Sequence, residues 1–274
     1  MLDYRIGAYN IRERNVAILK RFSDDVFKLV NLNSCRIAGY EDSSFAMLKK
    51  AKRCTANDTK LCNNLSRARA SVYELALCNQ WDFFATFTLD SSKVDRNDLY
   101  MTYRKIAKWF NNYNSRYGCK IRYLLIPEPH RNGAWHFHGL LSGVPPDHLV
   151  LFTLCDHIPK RMKDMLRADR FIYNWPAYAA AFGFVTLDAV RDLKRCSAYM
   201  TKYITKELMD SSIALNHHVY YCSKGLKRAE IIYRGELKQT LENPDFENDY
   251  VRTKWFSSAE DALPYLTDTE VYDG

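Results

Sequence analysis

No apolar stretch in this chain approaches the roughly 20 residues that a membrane-spanning helix needs. The opening Met1-Leu2-Asp3-Tyr4-Arg5 runs into charge rather than the apolar core of a signal peptide, so a cytoplasmic location with no membrane partner is expected. Internal repeats, low-complexity segments and glycine-rich phosphate loops are lacking as well. Without a Walker motif, no helicase activity is expected of this chain itself. CxxC spacing is also missing among Cys35, Cys54, Cys62, Cys78, Cys119, Cys155, Cys196 and Cys222. In a reducing compartment these eight cysteines read as free thiols in small apolar sites, ahead of a structural zinc built from Cys54 and Cys62.

What is present describes a folded, basic protein. The 274 residues fit one domain, or one domain with an appendage, and at 47% hydrophobic they can bury a proper core. The net charge of +8 favours a polyanionic partner, since phosphate contacts release counterions. Interleaved with those cations are 19 Tyr, 14 Phe and 5 Trp, a combination suited to stacking on unpaired bases.

The chemistry concentrates in two stretches. In Ala134-Trp135-His136-Phe137-His138-Gly139-Leu140-Leu141 the period of a strand places His136 and His138 on one face and Trp135 and Phe137 on the other. Upstream, Tyr123-Leu124-Leu125-Ile126-Pro127-Glu128 is a second apolar run ending in an acid. Arg131-Asn132-Gly133 reads as the turn that pairs the two and brings Glu128 to the histidines. Two imidazoles and a carboxylate suit a divalent cation, whereas satisfied core or surface histidines are the structural alternative. His130 reads as peripheral, and His217 and His218 as structural. In the second stretch, Ser197 to Lys206, a helix puts Tyr199, Lys202, Tyr203 and Lys206 on one face and Met200, Ile204 and Leu208 on another.

His136-Phe137-His138 resembles the His-hydrophobe-His motif of the HUH endonucleases, and Tyr199-Met200-Thr201-Lys202-Tyr203 resembles their two-tyrosine motif. That form is similar to the rolling-circle replication initiators of single-stranded DNA phages and related bacterial elements. Phe84 to Asp90 matches the family's first, threonine-rich strand, and the resemblance covers roughly residues 81 to 235 with its motifs in family order. It implies an α+β fold, an RRM-like domain with a central antiparallel sheet, helices on one side and the site on the other. It also implies a nickase-ligase acting on single-stranded or hairpin origin DNA in a bacterial host cell, with a host helicase and polymerase as partners. Tyr199, Tyr203 and Lys202 would be catalytic, and His136, His138 and Glu128 would hold Mg²⁺ or Mn²⁺. Lys206 and the basic turn carrying Lys224, Lys227 and Arg228 are candidate DNA contacts, a solvated loop being the equal alternative for the turn. A relaxase or transposase of the same chemistry and a non-catalytic single-strand binder are the competing readings.

Around this core the sequence suggests residues 1–80 as a mainly helical N-terminal extension, 81–240 as the endonuclease domain and 241–274 as a C-terminal strand and tail. Leu65 to Leu77 has the apolar stripe of an amphipathic helix. Residues 97–117 form another, closed by Gly118. Lys160 to Arg170 is a basic helix candidate, and Tyr173 to Tyr178 an aromatic patch expected mostly to pack. The acidic stretch from Glu260 to Asp273 reads as a loosely ordered end.

Overall fold

The computed structural model describes residues 12–36, 58–130, 132–204, 219–248 and 251–267, with backbone alone for 12–15, 33–36 and 58–64. In chain order the first elements are β1 (Arg12–Ser23), β2 (Val26–Arg36), α1 (Asp58–Leu77), β3 (Phe83–Thr88), α2 (Leu99–Tyr117), β4 (Arg122–Pro129) and β5 (Trp135–Ser142). There follow β6 (Val150–Leu151), α3 (Lys160–Arg167), β7 (Ile172–Asn174), α4 (Pro176–Phe182), β8 (Val185–Ala189) and α5 (Leu193–Met200). The last are β9 (Tyr221–Cys222), β10 (Glu230–Glu236), β11 (Phe246–Glu247) and β12 (Val251–Phe256). None of the described helices is long and apolar enough to cross a membrane.

The chain divides into two compact units, Met1–Thr55 with Arg228–Gly274, and Ala56–Lys227. This corrects the expected division at 80 and 240. It also corrects the expected helical N-terminal extension: α1 is helical, but residues 12–36 are a β-hairpin. Val16, Ile18, Val26, Leu29 and Val30 are β-branched or apolar at strand spacing, and the hairpin joins β10, β12 and β11 in the order β10-β1-β2-β12-β11. One face of that sheet buries Ala17, Leu19, Phe27, Leu29 and Tyr233 against Leu241, Ala262 and Leu266. The acidic stretch after Glu260 is therefore not loose over its described part. It makes a 3₁₀ turn, Glu260–Tyr265, whose Ala262 is fully buried.

The larger unit is built on an antiparallel sheet of the order β6-β7-β8-β3-β5-β4-β9 among the described residues. Phe87 and Phe137 face each other across β3 and β5. Their side of the sheet packs on α2 and α4, with Phe87 rings 6.4 Å from Phe110 and 4.8 Å from Tyr178. The aromatic patch packs as expected, since Trp175 and Tyr178 are fully buried. Helix α2 starts at Asp98, whose carboxylate accepts the Met101 N–H at 2.9 Å, and ends before Gly118.

Alternation puts Thr86, Thr88, Glu128, His136 and His138 on the opposite face. That face is not free of helices, contrary to expectation: α1 and α5 cover part of it. Arg69 of α1 donates to the Ile204 carbonyl at 3.0 Å, and Met200 and Ile204 are fully buried beneath. The apolar stripe of a helix needs a sheet to bury against, and Leu124, Ile126 and Leu140, on the same face as the histidines, provide it. Cys78, Cys119, Cys155, Cys196 and Cys222 are free thiols. Cys54 lies outside the described residues, as does the side chain of Cys62, and with them the zinc alternative.

A candidate metal and tyrosine site

The β4–β5 hairpin sets the first half of the site. Its register pairs Glu128 with His136 and Ile126 with His138. The turn closes with His130 N–H donating to the Ala134 carbonyl at 2.8 Å and with Gly133 at φ 80°, a left-handed conformation that favours glycine. Gly139 keeps the strands close. A Cβ there would stand 2.5 Å from the Leu124 carbonyl oxygen.

Three donor atoms converge as a result. Glu128 Oε2 lies 2.6 Å from His136 Nε2 and 2.8 Å from His138 Nε2, and the two imidazole nitrogens are 2.9 Å apart. Among the described residues this is the one group of His, Cys, Asp or Glu placed to hold a metal ion. The fit can be tested on spacing: cis donors about 2.1 Å from an octahedral ion stand about 3 Å from one another, close to the separations found. The remaining ring nitrogens are also engaged. His138 Nδ1 meets Thr86 Oγ1 at 3.2 Å, and His136 Nδ1 meets His130 Nε2. With both Nε2 atoms turned to the shared point, the Nδ1–H groups donate to Thr86 and His130, which fixes ring orientation and tautomer. His130 is thus a support for His136 rather than a peripheral residue.

The electrostatics keep the set ready for a cation. Burial pushes His138 down to about 4, with His136 acting in the same direction and Glu128 opposing. Burial and the charge of His130 lower His136 as well. For Glu128 burial works upward, but His138 and His136 outweigh it and hold the carboxyl below its ordinary range. The site therefore offers neutral imidazoles and a carboxylate near neutral pH, the protonation states a metal requires.

The tyrosines stand beside it. Helix α5 starts at Asp192, whose carboxylate accepts the Arg195 N–H at 2.9 Å, and stops at Met200. The sequence reading extends the helix through Lys206, but Thr201–Tyr203 tightens into a 3₁₀ turn. The Thr201 hydroxyl donates to the Ala198 carbonyl at 2.7 Å, a local bond of the kind that competes with the regular helix. The Tyr203 ring stacks on His138, with centroids 4.0 Å apart and planes at 18°. Its hydroxyl donates to the Tyr199 hydroxyl at 3.1 Å. Phe84 of β3 sits edge-on to Tyr199 at 5.5 Å. Burial, then the bond to Tyr199, raises the Tyr203 phenol well above its ordinary value. Lys202 is exposed and places its ammonium 5.2 Å from the Tyr199 ring centre.

Of the residues expected in the site, Glu128, His136, His138, Tyr199, Lys202 and Tyr203 come together. Lys206 lies outside the described residues, as do His217 and His218. Lys224 and Lys227 are exposed in a turn after β9, which pairs with the opposite end of β4 at Leu124 and Leu125. From Tyr123, where Ser223 bonds, to Glu128 the strand runs about 17 Å. Arg228 begins the other unit. What the sequence reading passed over is a cleft of about 680 Å³ lined by Tyr199, Tyr203, His138 and Phe84 and by arginines from the segment after residue 160. The basic helix Lys160 to Arg170 was the one available signal for it.

Residues 82–208 match the family model described as Replication-associated protein ORF2. The matched span runs from the start of β3 past the tyrosine turn, so it holds the whole constellation. It is somewhat less than half of the chain. This similarity supports a replication initiator. No curated protein and no solved structure matches the chain.

Proposed function

We propose that this protein initiates rolling-circle replication by nicking single-stranded origin DNA with a tyrosine and later rejoining the strands. The observation that carries the reading is the stacking of Tyr203 on His138, with its hydroxyl bonded to that of Tyr199. Two phenols and a two-histidine, one-carboxylate cluster share a cleft, an arrangement with no evident purpose in packing alone.

Glu128, His136 and His138 would hold Mg²⁺ or Mn²⁺, which when bound supplies charge relief to a non-bridging phosphate oxygen. The chain's own groups do the rest. Tyr199 is the first nucleophile: it is the more exposed phenol, and its oxygen accepts the Tyr203 hydrogen bond, which favours a developing phenolate. Lys202 adds a cation beside it. The Tyr199 oxygen forms a bond to phosphorus as the bond from phosphorus to the 3′ oxygen breaks. The phenol proton leaves to solvent, and the 3′ oxygen takes one up. The products are a 5′-phosphotyrosine link and a free 3′-OH that primes synthesis. Tyr203 then attacks at the regenerated origin, so that the first link can be resolved by the new 3′-OH. Unwinding and polymerisation fall to a helicase and a polymerase of the host.

The test is a nicking assay on single-stranded DNA from the element's presumed origin, with Mn²⁺ or EDTA, read as a protein–DNA adduct on a denaturing gel. A metal-dependent adduct that Tyr199→Phe reduces and the double Tyr199→Phe, Tyr203→Phe variant abolishes is the expected result. Binding of that DNA without any adduct from the wild-type protein would defeat the proposal in favour of a non-catalytic binder.

A further inference from the structure

The cleft in front of the tyrosines contains four arginines that the chemistry above leaves unused. Arg161 stands on α3, Arg195 on α5, and Arg170 and Arg191 on the connections leading into β7 and out of β8. Two of these are committed to the wall itself. Arg170 is ion-paired with Asp188, and Arg191 donates to the Asp169 carbonyl at 3.1 Å. Arg161 and Arg195 differ. Both are exposed, and among the described residues neither guanidinium has an acidic partner or a hydrogen-bond acceptor. A single unpaired surface arginine means little. Here two of them, from elements more than a turn apart in the chain, converge on the one cleft whose wall also carries both candidate nucleophiles.

Their placement is specific. Arg195, Tyr199 and Tyr203 follow one another at spacing i, i+4, so the guanidinium projects from the same side of the segment as Tyr199, one turn earlier. The Asp192 cap fixes the start of that helix and with it the position of Arg195. Arg161 reaches the cleft from α3, an element on the other side of β7 and β8 in sequence. The space between is in the range that encloses a drug-sized ligand, enough for about one or two nucleotides and too narrow for a duplex. Guanidinium groups bind phosphate in a planar fork that an ammonium cannot reproduce.

We propose that Arg161 and Arg195 clamp the backbone of the single strand, gripping phosphates on either side of the tyrosines so that one phosphodiester is presented to them. The proposal rests on the nicking reading and deepens it by naming the residues that seat the strand. Neither arginine touches the reacting atoms; both are positioning residues.

The experiment measures binding of a fluorescently labelled single-stranded oligonucleotide by anisotropy in EDTA, across a series of salt concentrations. It uses the full chain, as wild type, Arg161→Gln, Arg195→Gln, the double variant and the two Arg→Lys variants. Each neutralised phosphate contact contributes about 0.7 to the slope of log affinity against log salt for a single strand. Each Arg→Gln change is expected to lower the slope by about that amount, and the double variant by about twice as much, with affinity at low salt falling about tenfold per site. The Lys variants should keep most of the slope while losing nicking rate, because charge survives but the fork does not. Arg116→Gln, on α2 against the other face of the sheet, removes the same charge and should leave the slope as it is. Unchanged slopes in both Gln variants, with wild type still binding and nicking, would overturn the clamp and leave the nicking reading intact. A wild-type protein that binds no single strand at any salt would overturn both.

Discussion

The histidine hairpin and the tyrosine turn meet at one site but are built on different terms. In the hairpin every functional atom is set by register. Glu128 lies opposite His136, Thr86 opposite His138, and a shift by one residue would send the whole set to the other face. The tyrosine turn has no ladder. Its geometry comes from the Asp192 cap, the Thr201 back-bond, the burial of Met200 and Ile204, and the stacking of Tyr203 on His138. A ladder suits a cation site, which tolerates little displacement. A helix end held by side chains suits a nucleophile that must leave its neighbour to reach phosphorus.

The comparison can be broken most severely at the hairpin. His138→Ala removes a metal donor and the ring that Tyr203 stacks on. Nicking with Mn²⁺ should fall about a thousandfold, measured as the single-turnover rate. A rate within tenfold of wild type would show that the cluster is not part of the reaction. Gly139→Ala attacks the same element through its backbone. The added Cβ meets the Leu124 carbonyl, so the thermal unfolding midpoint should drop by the equivalent of about 1–3 kcal/mol. An unchanged midpoint would mean that the strands part more easily than the register implies.

Thr86→Val keeps the volume of the side chain but leaves the His138 Nδ1–H without its acceptor. Mn²⁺ affinity by calorimetry should weaken about 10- to 100-fold, with the fold intact by circular dichroism. On the other side of the comparison, Lys202→Met should slow adduct formation only modestly, by about tenfold or less, because the ammonium is exposed and screened.

The smallest expected effect is one of acidity on the metal-free protein. His138 titrates near 4 when folded and in the ordinary histidine range when unfolded, so between those values the unfolded chain binds the extra proton. Stability in EDTA should therefore decline as pH falls from about 6.5 towards 4, and His138→Gln should flatten that decline. An identical pH profile for the variant would place the acid sensitivity elsewhere.

Much of the site was legible because its parts obey local rules. Period two sorted His136 and His138 from Trp135 and Phe137, the Arg131-Asn132-Gly133 turn implied the hairpin, and the hairpin implied Glu128. Helix α2, with its apolar repeat and closing Gly118, could be read almost to the residue. Residues 12–36 could not be so read. Their apolar spacing fits short helical or strand pieces, and pairing with β10 and β12, far away in the chain, decides for the strand. The same holds for the end of α5. Helical spacing put Tyr199 and Tyr203 on one face, while the change to a 3₁₀ turn depends on the hydroxyl of Thr201 and on what Met200 and Ile204 bury against.

The sequence by itself thus determined which groups could do chemistry and how each pair is spaced, since strand and helix periods are properties of the local backbone. Only the tertiary structure decided that His130 supports His136, that Tyr203 stacks on His138, and that Arg161 and Arg195 share a cleft with the tyrosines. Those relations join residues from different elements. Their distances follow from how sheet and helices bury their apolar faces against one another, which no local period encodes.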